Sequence, residues 1–186
     1  SGDYAALGVI GSTANVANSG TISAISSSTE AYGIYGSSTT TVTNSGTISA
    51  SSTLGTAYGI EGGTTATVTN SGTISATSTS YVAYGVKDDT TATVTNSGTI
   101  SASGYDTAAG IYSGSTATVT NSGTISATSS SNLAYGILGQ TTASVTNSGN
   151  ISASGVGGVG ILSWGTTTVT NSGTISAVGT TSSSVG

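Results

Sequence analysis

The sequence predicts an all-β fold, a parallel β-solenoid of about seven rungs with three short strands in each rung. The first observation is a repeated unit, Val-Thr-Asn-Ser-Gly-Thr-Ile-Ser-Ala at residues 42–50, with close copies along the whole chain. The second is the spacing of its asparagine, at intervals of 26, 26, 26, 25, 26 and 24 residues. The third is the alternation of valine and isoleucine with threonine and serine inside each copy, which is typical of half-buried strands. A period of this length indicates a stacked array and not a conventional globular core.

The first strand of each rung is predicted over the block Ala-Tyr-Gly-Ile and its variants, as at residues 31–34, 57–60 and 134–137. The isoleucine or valine of the block is expected to face inward, since the next position varies too much to be buried. The tyrosine column is expected on the same inner or corner face by the period of two, and the glycine is expected to ease a bend. The variable position holds Ile10, Tyr35, Glu61, Lys87, Tyr112, Leu138 and Leu162.

The second and third strands are predicted on either side of Asn-Ser-Gly. In the third repeat, Val68 and Ile74 should be buried, while Thr67, Thr69 and Ser75 should be exposed. Parallel stacking places equivalent residues of successive rungs about 4.8 Å apart, so each column of the repeat becomes a ladder of like side chains. Crossover connections between parallel strands are nearly always right-handed, and this favours a right-handed coil.

The asparagine column is predicted to form a ladder at a corner of the coil. An asparagine side chain has both donor and acceptor groups, so stacked copies can bond one another and the turn backbone. The glycine two residues later is expected to supply a positive φ. The alternative is a solvent-exposed hairpin turn, but the single repeated pattern offers no antiparallel partner. The predicted ladder comprises Asn18, Asn44, Asn70, Asn96, Asn121, Asn147 and Asn171.

A variable segment of four to six residues follows each Ile-Ser-Ala and accounts for the drift in period. Because its length changes leave the repeated blocks in register, it is expected in a surface loop. The chain is interpreted as one solenoid domain, residues 1–186, with seven repeats and a partial eighth begun at 184–186.

Composition excludes several functions. Apolar residues make up 34% of the chain, which without the period would suggest disorder. Lys87 is the only basic residue against six acidic ones, so the net charge is −5. Nucleic-acid binding and binding to anionic membranes need several basic residues. The chain has no Cys and no His, and it has no apolar run of membrane-spanning length. No nucleic-acid partner, membrane insertion or cofactor is therefore expected.

A polysaccharide-active β-helical enzyme, a lyase or a hydrolase, is a further alternative, but the few charged residues do not favour it. General acid and base catalysis needs two or three carboxylates, or a carboxylate with a base, converging on one cleft. Asp88 and Asp89 are adjacent in sequence and should diverge in a solvated turn, although a calcium site there is an alternative. Glu61 and Lys87 occupy the same column one rung apart and are predicted to form an exposed ion pair worth at most about 1 kcal/mol. No catalytic residue and no metal ligand is assigned.

The repeated Val-Thr-Asn-Ser-Gly-Thr-Ile-Ser-Ala with Ala-Tyr-Gly-Ile resembles the passenger regions of bacterial autotransporters and related repetitive surface adhesins, over nearly the whole chain. The resemblance implies a secreted or surface-anchored stalk or fibre used in adhesion, aggregation or biofilm matrix. The implied location is extracellular or on the bacterial cell surface. Partners would be glycans or the surfaces of other cells.

Ice binding is the alternative from another class of function. Outward Thr-x-Thr pairs should lie about 7 Å apart along a strand and about 4.8 Å apart between rungs, in a flat lattice. Ser144 and the pair Asn15 and Ala17 interrupt that lattice. The candidate columns are Thr41, Thr43, Thr67, Thr69, Thr93, Thr95, Thr118, Thr120, Thr168 and Thr170.

The two ends suggest self-association. An open coil leaves unpaired backbone groups at each end. A junction is expected in which Val185 and Gly186 of one subunit are continued by Leu7 and Val9 of the next, giving a head-to-tail filament. The alternative is that the chain is part of a longer repeat protein, with further repeats as neighbours.

Overall fold

A computed structural model describes residues 5–180, which form nineteen β-strands joined by short turns. The predicted partial eighth repeat at 184–186 lies outside the described residues. The described residues include no helix long and apolar enough to cross a membrane. The strands are β1 (Ala6–Asn18), β2 (Thr21–Ser26), β3 (Ala31–Asn44), β4 (Thr47–Ser52), β5 (Ala57–Gly62), β6 (Thr65–Asn70), β7 (Thr73–Ser78), β8 (Ala83–Asp88), β9 (Thr91–Asn96), β10 (Thr99–Gly104), β11 (Ala108–Ser113), β12 (Thr116–Asn121), β13 (Thr124–Ser129), β14 (Leu133–Gly139), β15 (Thr142–Asn147), β16 (Asn150–Gly155), β17 (Gly157–Ser163), β18 (Thr166–Asn171) and β19 (Thr174–Gly179).

The strands coil into a parallel β-solenoid of about seven turns, which confirms the predicted fold class. Each rung supplies a first, a second and a third strand, and every strand pairs in parallel with its equivalents one rung away. In the first two rungs β1 and β3 run unbroken through the first and second strand positions. The first strands of all rungs form one wall of the coil, and the second and third strands form the other two walls. Because β1 and β3 run through both the first and the second wall, these two walls are joined into a single 12-stranded sheet, while the third strands form a separate 7-stranded sheet.

The repeated apolar columns fill the interior. Val68 pairs with Val94 and Ile74 pairs with Ile100 in the Cα register, and all four side chains are buried. Complete burial of such a side chain contributes about 1.5–3 kcal/mol, so each rung adds a similar hydrophobic increment to the stack.

The predicted alternation of inner and outer residues is confirmed in the third repeat for Val68, Ile74, Thr67 and Thr69. Ser75 is half-buried instead of exposed.

Alanine columns form a second part of the interior. Ala50 and Ala76 of third strands cluster with Ala57 and Ala83 of first strands, and all four are buried. Methyl groups occupy little space, so the two walls can meet closely along this edge. This explains why the alanine column of Ile-Ser-Ala is unbroken in the sequence.

The predicted positive φ of the turn glycines is wrong, since no glycine among the described residues has one. Stacking explains these glycines instead. A Cβ on Gly98 would collide with the carbonyl oxygen of Gly72 in the preceding rung. At Gly20, in the first rung, a Cβ would meet nothing within 4 Å. Glycine is required here because one backbone passes closely over another.

The placement of the tyrosine column is also corrected. Gly33 and Ile34 both turn inward, because a Cβ on Gly33 would lie 2.7 Å from Cγ2 of the interior Ile48. Tyr32 and Tyr35, on either side, therefore both lie outside the main core, with ring centroids 5.2 Å apart. The rings of Tyr32 and Tyr58 stack between rungs at 4.7 Å.

The variable column beside the tyrosines is correspondingly less exposed than predicted. Glu61 and Leu138 are buried, and Tyr35, Lys87 and Tyr112 are half-buried. The tyrosine column covers this column from the side. In the later rungs the two columns form a small apolar cluster that is separate from the interior, centred on Ala109, Tyr135 and Leu138.

Candidate functional site: the asparagine ladder, the charged column and the threonine wall

The asparagine ladder is present and faces inward, as predicted. Nδ2 of Asn96 donates to Oδ1 of Asn121 in the next rung at 2.8 Å, and Oδ1 of Asn96 accepts from Nδ2 of Asn70 at 2.8 Å. The same Nδ2 also bonds the carbonyl oxygens of Gly98 and Thr124, each at 3.1 Å. Equivalent bonds between adjacent asparagines extend from Asn18 to Asn171 at 2.7–2.8 Å.

The turn backbone is bonded between rungs at the same corner. The carbonyl oxygen of Asn70 accepts from the amides of Ser97 at 2.8 Å and Gly98 at 3.2 Å. The side chain and main chain of each asparagine thus satisfy polar groups that burial would otherwise leave unpaired. The ladder is a structural device that fixes the register of the stack.

Lys87 is held by two carboxylates on the outer side of the first-strand wall. Its Nζ lies 2.6 Å from Oε1 of Glu61 and 2.7 Å from Oδ1 of Asp89, and 5.8 Å from the ring centroid of Tyr58. The Glu61–Lys87 contact is half-buried, with side-chain exposures of 10% and 16%, whereas the sequence predicted an exposed pair. The neighbouring tyrosines account for this shielding.

The pKa values in this cluster follow from burial and from the hydrogen bonds. Burial raises the pKa of Glu61, and the hydrogen bond from Lys87 opposes that rise. Burial acts to lower the pKa of Lys87, but its hydrogen bonds to Asp89 and Glu61 outweigh that effect and raise it. Burial raises the pKa of Tyr84 to about 12 and also raises the pKa of Tyr58. Because its pKa is raised, Lys87 stays protonated at neutral pH and cannot act as a base.

Asp88 is fully buried, which corrects the prediction of a solvated turn. Side chains at this position point into the coil. The equivalent residues are Gly62 in the preceding rung and Ser113 in the next rung. Oδ1 accepts from the amide of Thr90 at 2.6 Å, whereas Oδ2 has no hydrogen-bond partner. Oε2 of Glu61 is likewise buried without a partner. Burial raises the pKa of Asp88 against the backbone hydrogen bonds that lower it.

These groups form an ion-pair cluster and not a converging catalytic arrangement. Asp88 faces the interior while Asp89 is exposed, so the adjacent carboxylates diverge. Within residues 5–180, no cavity is found and no three acidic side chains are arranged to hold a metal ion.

The predicted threonine pairs line the outer side of the second-strand wall. In the register Thr67 lies beside Thr93 and Thr69 beside Thr95. Ser144 occupies the position of Thr118 in the next rung, where the lattice is interrupted. All ten candidate threonines are exposed: Thr41, Thr43, Thr67, Thr69, Thr93, Thr95, Thr118, Thr120, Thr168 and Thr170.

The residues proposed for a subunit junction lie at the two ends of the chain. Leu7 is 42% exposed and Val9 is partly buried against the core. Val185 and Gly186 lie outside the described residues, so the junction stays a prediction.

Sequence reasoning missed a column of buried serines in the variable segments. Ser78 Oγ donates to the carbonyl oxygen of Gly55 in the preceding rung at 2.7 Å and accepts from the amide of Tyr81 at 3.0 Å. Ser52 closes its own loop in the same way, accepting from the amide of Gly55 at 2.9 Å. The available signal was a serine two residues after the alanine of Ile-Ser-Ala in four of the repeats. These loops are therefore ordered by the stack.

Together, these features define a parallel β-helical repeat protein whose interior is built from stacked identical residues. The family described as the BigA third pectate lyase-like domain matches residues 51–185, which is 135 of the 186 residues, and the chain belongs to that family. A search of curated proteins and a search of solved structures returned no match.

Proposed function

We propose that this chain is a structural and adhesive β-solenoid, a stalk of an autotransporter-like adhesin on the bacterial surface. The observation that carries the proposal is the unbroken in-register stack, in which the asparagine ladder runs from Asn18 to Asn171. Membership of a domain family from bacterial surface proteins supports the location. The divergence of Asp88 and Asp89 gives no support to a lyase or hydrolase reaction.

The stack would act as a rigid spacer. Seven rungs about 4.8 Å apart span roughly 30 Å, and every further repeat would lengthen the stack by about 4.8 Å. A stalk of this kind would carry adhesive contacts to glycans or to the surfaces of other cells, or contribute to aggregation and biofilm matrix. The hydroxyl-rich walls and the ordered loops are the surfaces available for such contacts.

Immunolabelling of intact cells that produce the protein tests the location, and adhesion of cells lacking residues 5–180 tests the role. Surface labelling with a loss of adhesion or aggregation is expected. Labelling only after permeabilisation would contradict the proposed location. Unchanged adhesion with normal surface display of the rest of the protein would contradict the adhesive role.

End-to-end stacking is a further part of this proposal. Val169 and Ile175 in the last described rung are 40% and 36% exposed, whereas their counterparts within the stack are buried. Further repeats of a longer chain or a second copy would cover them. Light scattering and electron microscopy of the purified chain at high concentration test the second case, and a protein that stays monomeric without fibres would contradict it.

Ice binding is a second candidate, favoured by the exposure and register of the threonine wall. A thermal hysteresis assay at micromolar protein tests it. Clear hysteresis that is lost in Thr93→Tyr, with Ser75→Tyr on the third-strand wall as control, would support ice binding over adhesion. No hysteresis would contradict it.

A further inference from the structure

Five tyrosine rings form one continuous chain of contacts on the outer side of the first-strand wall. The ring centroids are 5.2 Å apart for Tyr32 and Tyr35, 4.7 Å for Tyr32 and Tyr58, 5.6 Å for Tyr58 and Tyr84, and 5.4 Å for Tyr84 and Tyr112. We call these five residues the tyrosine stack. All five are half-buried, so each keeps some contact with solvent. The stack therefore joins phenol groups of four successive rungs where a reagent can reach them.

Tyr32 and Tyr58 are the closest pair of the stack. They are Cα partners in adjacent rungs, and their rings are nearly parallel, with an interplanar angle of 3°. Paired strands lie about 4.8 Å apart, so the two side chains run side by side. Tyr84 is farther from Tyr58, at an interplanar angle of 19°, and packs against the small apolar cluster of the later rungs. Tyr32 and Tyr58 lie outside that cluster, which leaves their rings more room to turn.

Tyr81 and Tyr105 provide the contrasting case. They also belong to adjacent rungs, and the amide of Tyr105 donates to the carbonyl oxygen of Tyr81 at 2.9 Å. Both are well exposed, at 53% and 51%, yet neither ring contacts another aromatic ring within residues 5–180. Ring contact between rungs is thus a property of the tyrosine stack and not of every tyrosine pair that the coil brings together.

Two phenol rings in contact can be joined by oxidation. Each tyrosine loses one electron and one proton and becomes a phenoxyl radical, whose unpaired electron is shared with the ring carbon next to the one that carries oxygen. Two such carbons form a C–C bond, and the hydrogen on each then moves to oxygen, which restores both hydroxyl groups and both aromatic rings. Hydrogen peroxide takes up the two electrons and two protons and becomes two water molecules. Because the rings already touch, coupling within the chain is favoured over coupling between chains.

We propose that Tyr32 and Tyr58 are a site of oxidative cross-linking, at which a haem peroxidase with hydrogen peroxide joins the two rings as dityrosine. The bond ties the second rung to the third. The chain has no cysteine, so no disulfide can serve this purpose. The two residues are 26 positions apart, and a cross-link between them restricts the unfolded chain and so stabilises the stack. The inference does not depend on the stalk or the adhesive role.

Treatment of the purified full chain with hydrogen peroxide and a haem peroxidase, at low micromolar protein, tests the proposal. Dityrosine fluorescence should appear in the monomer, and peptide mapping by mass spectrometry should place the bond between Tyr32 and Tyr58. Tyr58→Phe keeps the ring but lacks the phenol, and it should lower the yield of dityrosine in the monomer at least about fivefold. Tyr81→Phe with Tyr105→Phe is the matched control and should leave that yield unchanged. The cross-linked monomer should melt roughly 5–15 °C above the untreated chain.

Other results would overturn the proposal. Absence of dityrosine in the monomer, a bond mapped to another pair of tyrosines, or an undiminished yield in Tyr58→Phe would each do so. Dityrosine confined to covalent dimers would show that the oxidised rings meet between chains and not within the stack. An unchanged Tm would contradict the stabilising role of the bond. If Tyr58→Phe fails to fold by circular dichroism, peptide mapping of the unsubstituted chain still decides where the bond forms.

Discussion

Removing one asparagine from the middle of the ladder should destabilise the solenoid strongly. In Asn96→Ala, Oδ1 of Asn121 loses the side-chain donor that reaches it at 2.8 Å, and Nδ2 of Asn70 loses its acceptor at 2.8 Å. The carbonyl oxygens of Gly98 and Thr124 each lose one bond at 3.1 Å.

The size of the stability loss in Asn96→Ala depends on which of these polar groups keep another hydrogen-bond partner. Nδ2 of Asn70 still bonds two carbonyl oxygens, and the carbonyl oxygen of Gly98 still accepts from the amide of Thr124. The side-chain oxygen of Asn121 has no other donor that the structure shows and costs about 1–3 kcal/mol when left unpaired in the interior. With the further lost bonds at about 1 kcal/mol, the total is roughly 2–4 kcal/mol.

Thermal and urea unfolding followed by circular dichroism measure this change. A loss of roughly 2–4 kcal/mol corresponds to a fall in Tm of roughly 5–15 °C for a chain of this size. Asn132→Ala is the matched control, because Asn132 is exposed and the structure gives its side chain one hydrogen bond, to the exposed Asp106 side chain, while the backbone bonds of Asn132 are kept in the variant. Its expected effect is within about 0.5 kcal/mol. Equal melting temperatures for the two variants would refute the ladder reasoning.

Three further changes test other parts of the structure. Gly98→Ala should lower the free energy of unfolding by more than about 2 kcal/mol, because its Cβ would collide with the backbone of the preceding rung. Gly20→Ala, where a Cβ meets no atom within 4 Å, should be nearly neutral in thermal unfolding. Equal losses in the two variants would contradict the explanation by close backbone approach. Burial raises the pKa of Asp88, so the stability that this carboxyl contributes is complete below its ordinary pKa of 3.8 and is lost as pH rises through the raised value. The stability of Asp88→Asn relative to the wild type should therefore increase from pH 4 to pH 8, as measured by urea unfolding. Parallel stability curves for the two proteins would argue against a raised pKa of Asp88. Lys87→Met should cost about 1–2 kcal/mol at pH 7 and much less near pH 4, since burial would then raise the pKa of Glu61 unopposed; a cost independent of pH would count against a charged Glu61.

The fold could be predicted from the sequence because the interior consists of columns. Val68 and Ile74 recur at a fixed period with outward threonines beside them, so alternation fixed their direction and the period fixed their neighbours. Asn96 could be placed in the same way, because an unbroken polar column in an apolar repeat needs partners that only its own copies supply. Repetition gave each of these inferences seven independent instances.

Prediction failed where the alternation was broken. Gly33 and Ile34 are consecutive inward positions, and a strict period of two therefore placed Tyr32 on the wrong side. Asp88 occurs once, and only the small residues above and below it in the column indicated that its position was interior. No side chain at Gly98 could reveal that the constraint was contact between backbones and not a positive φ.

Successive rungs stack in parallel with equivalent residues paired, and disulfide trapping tests this register most directly. The chain has no cysteine, so engineered pairs report without background. Thr67 and Thr93 are exposed Cα partners in adjacent rungs, about 4.8 Å apart, within the range that a disulfide spans. Thr67→Cys with Thr93→Cys should form an intramolecular disulfide under mild oxidation, detected by mass spectrometry. Thr67→Cys with Thr95→Cys, two residues out of register, should form it far more slowly. Faster disulfide formation in the second pair would contradict the parallel, in-register stacking of the rungs.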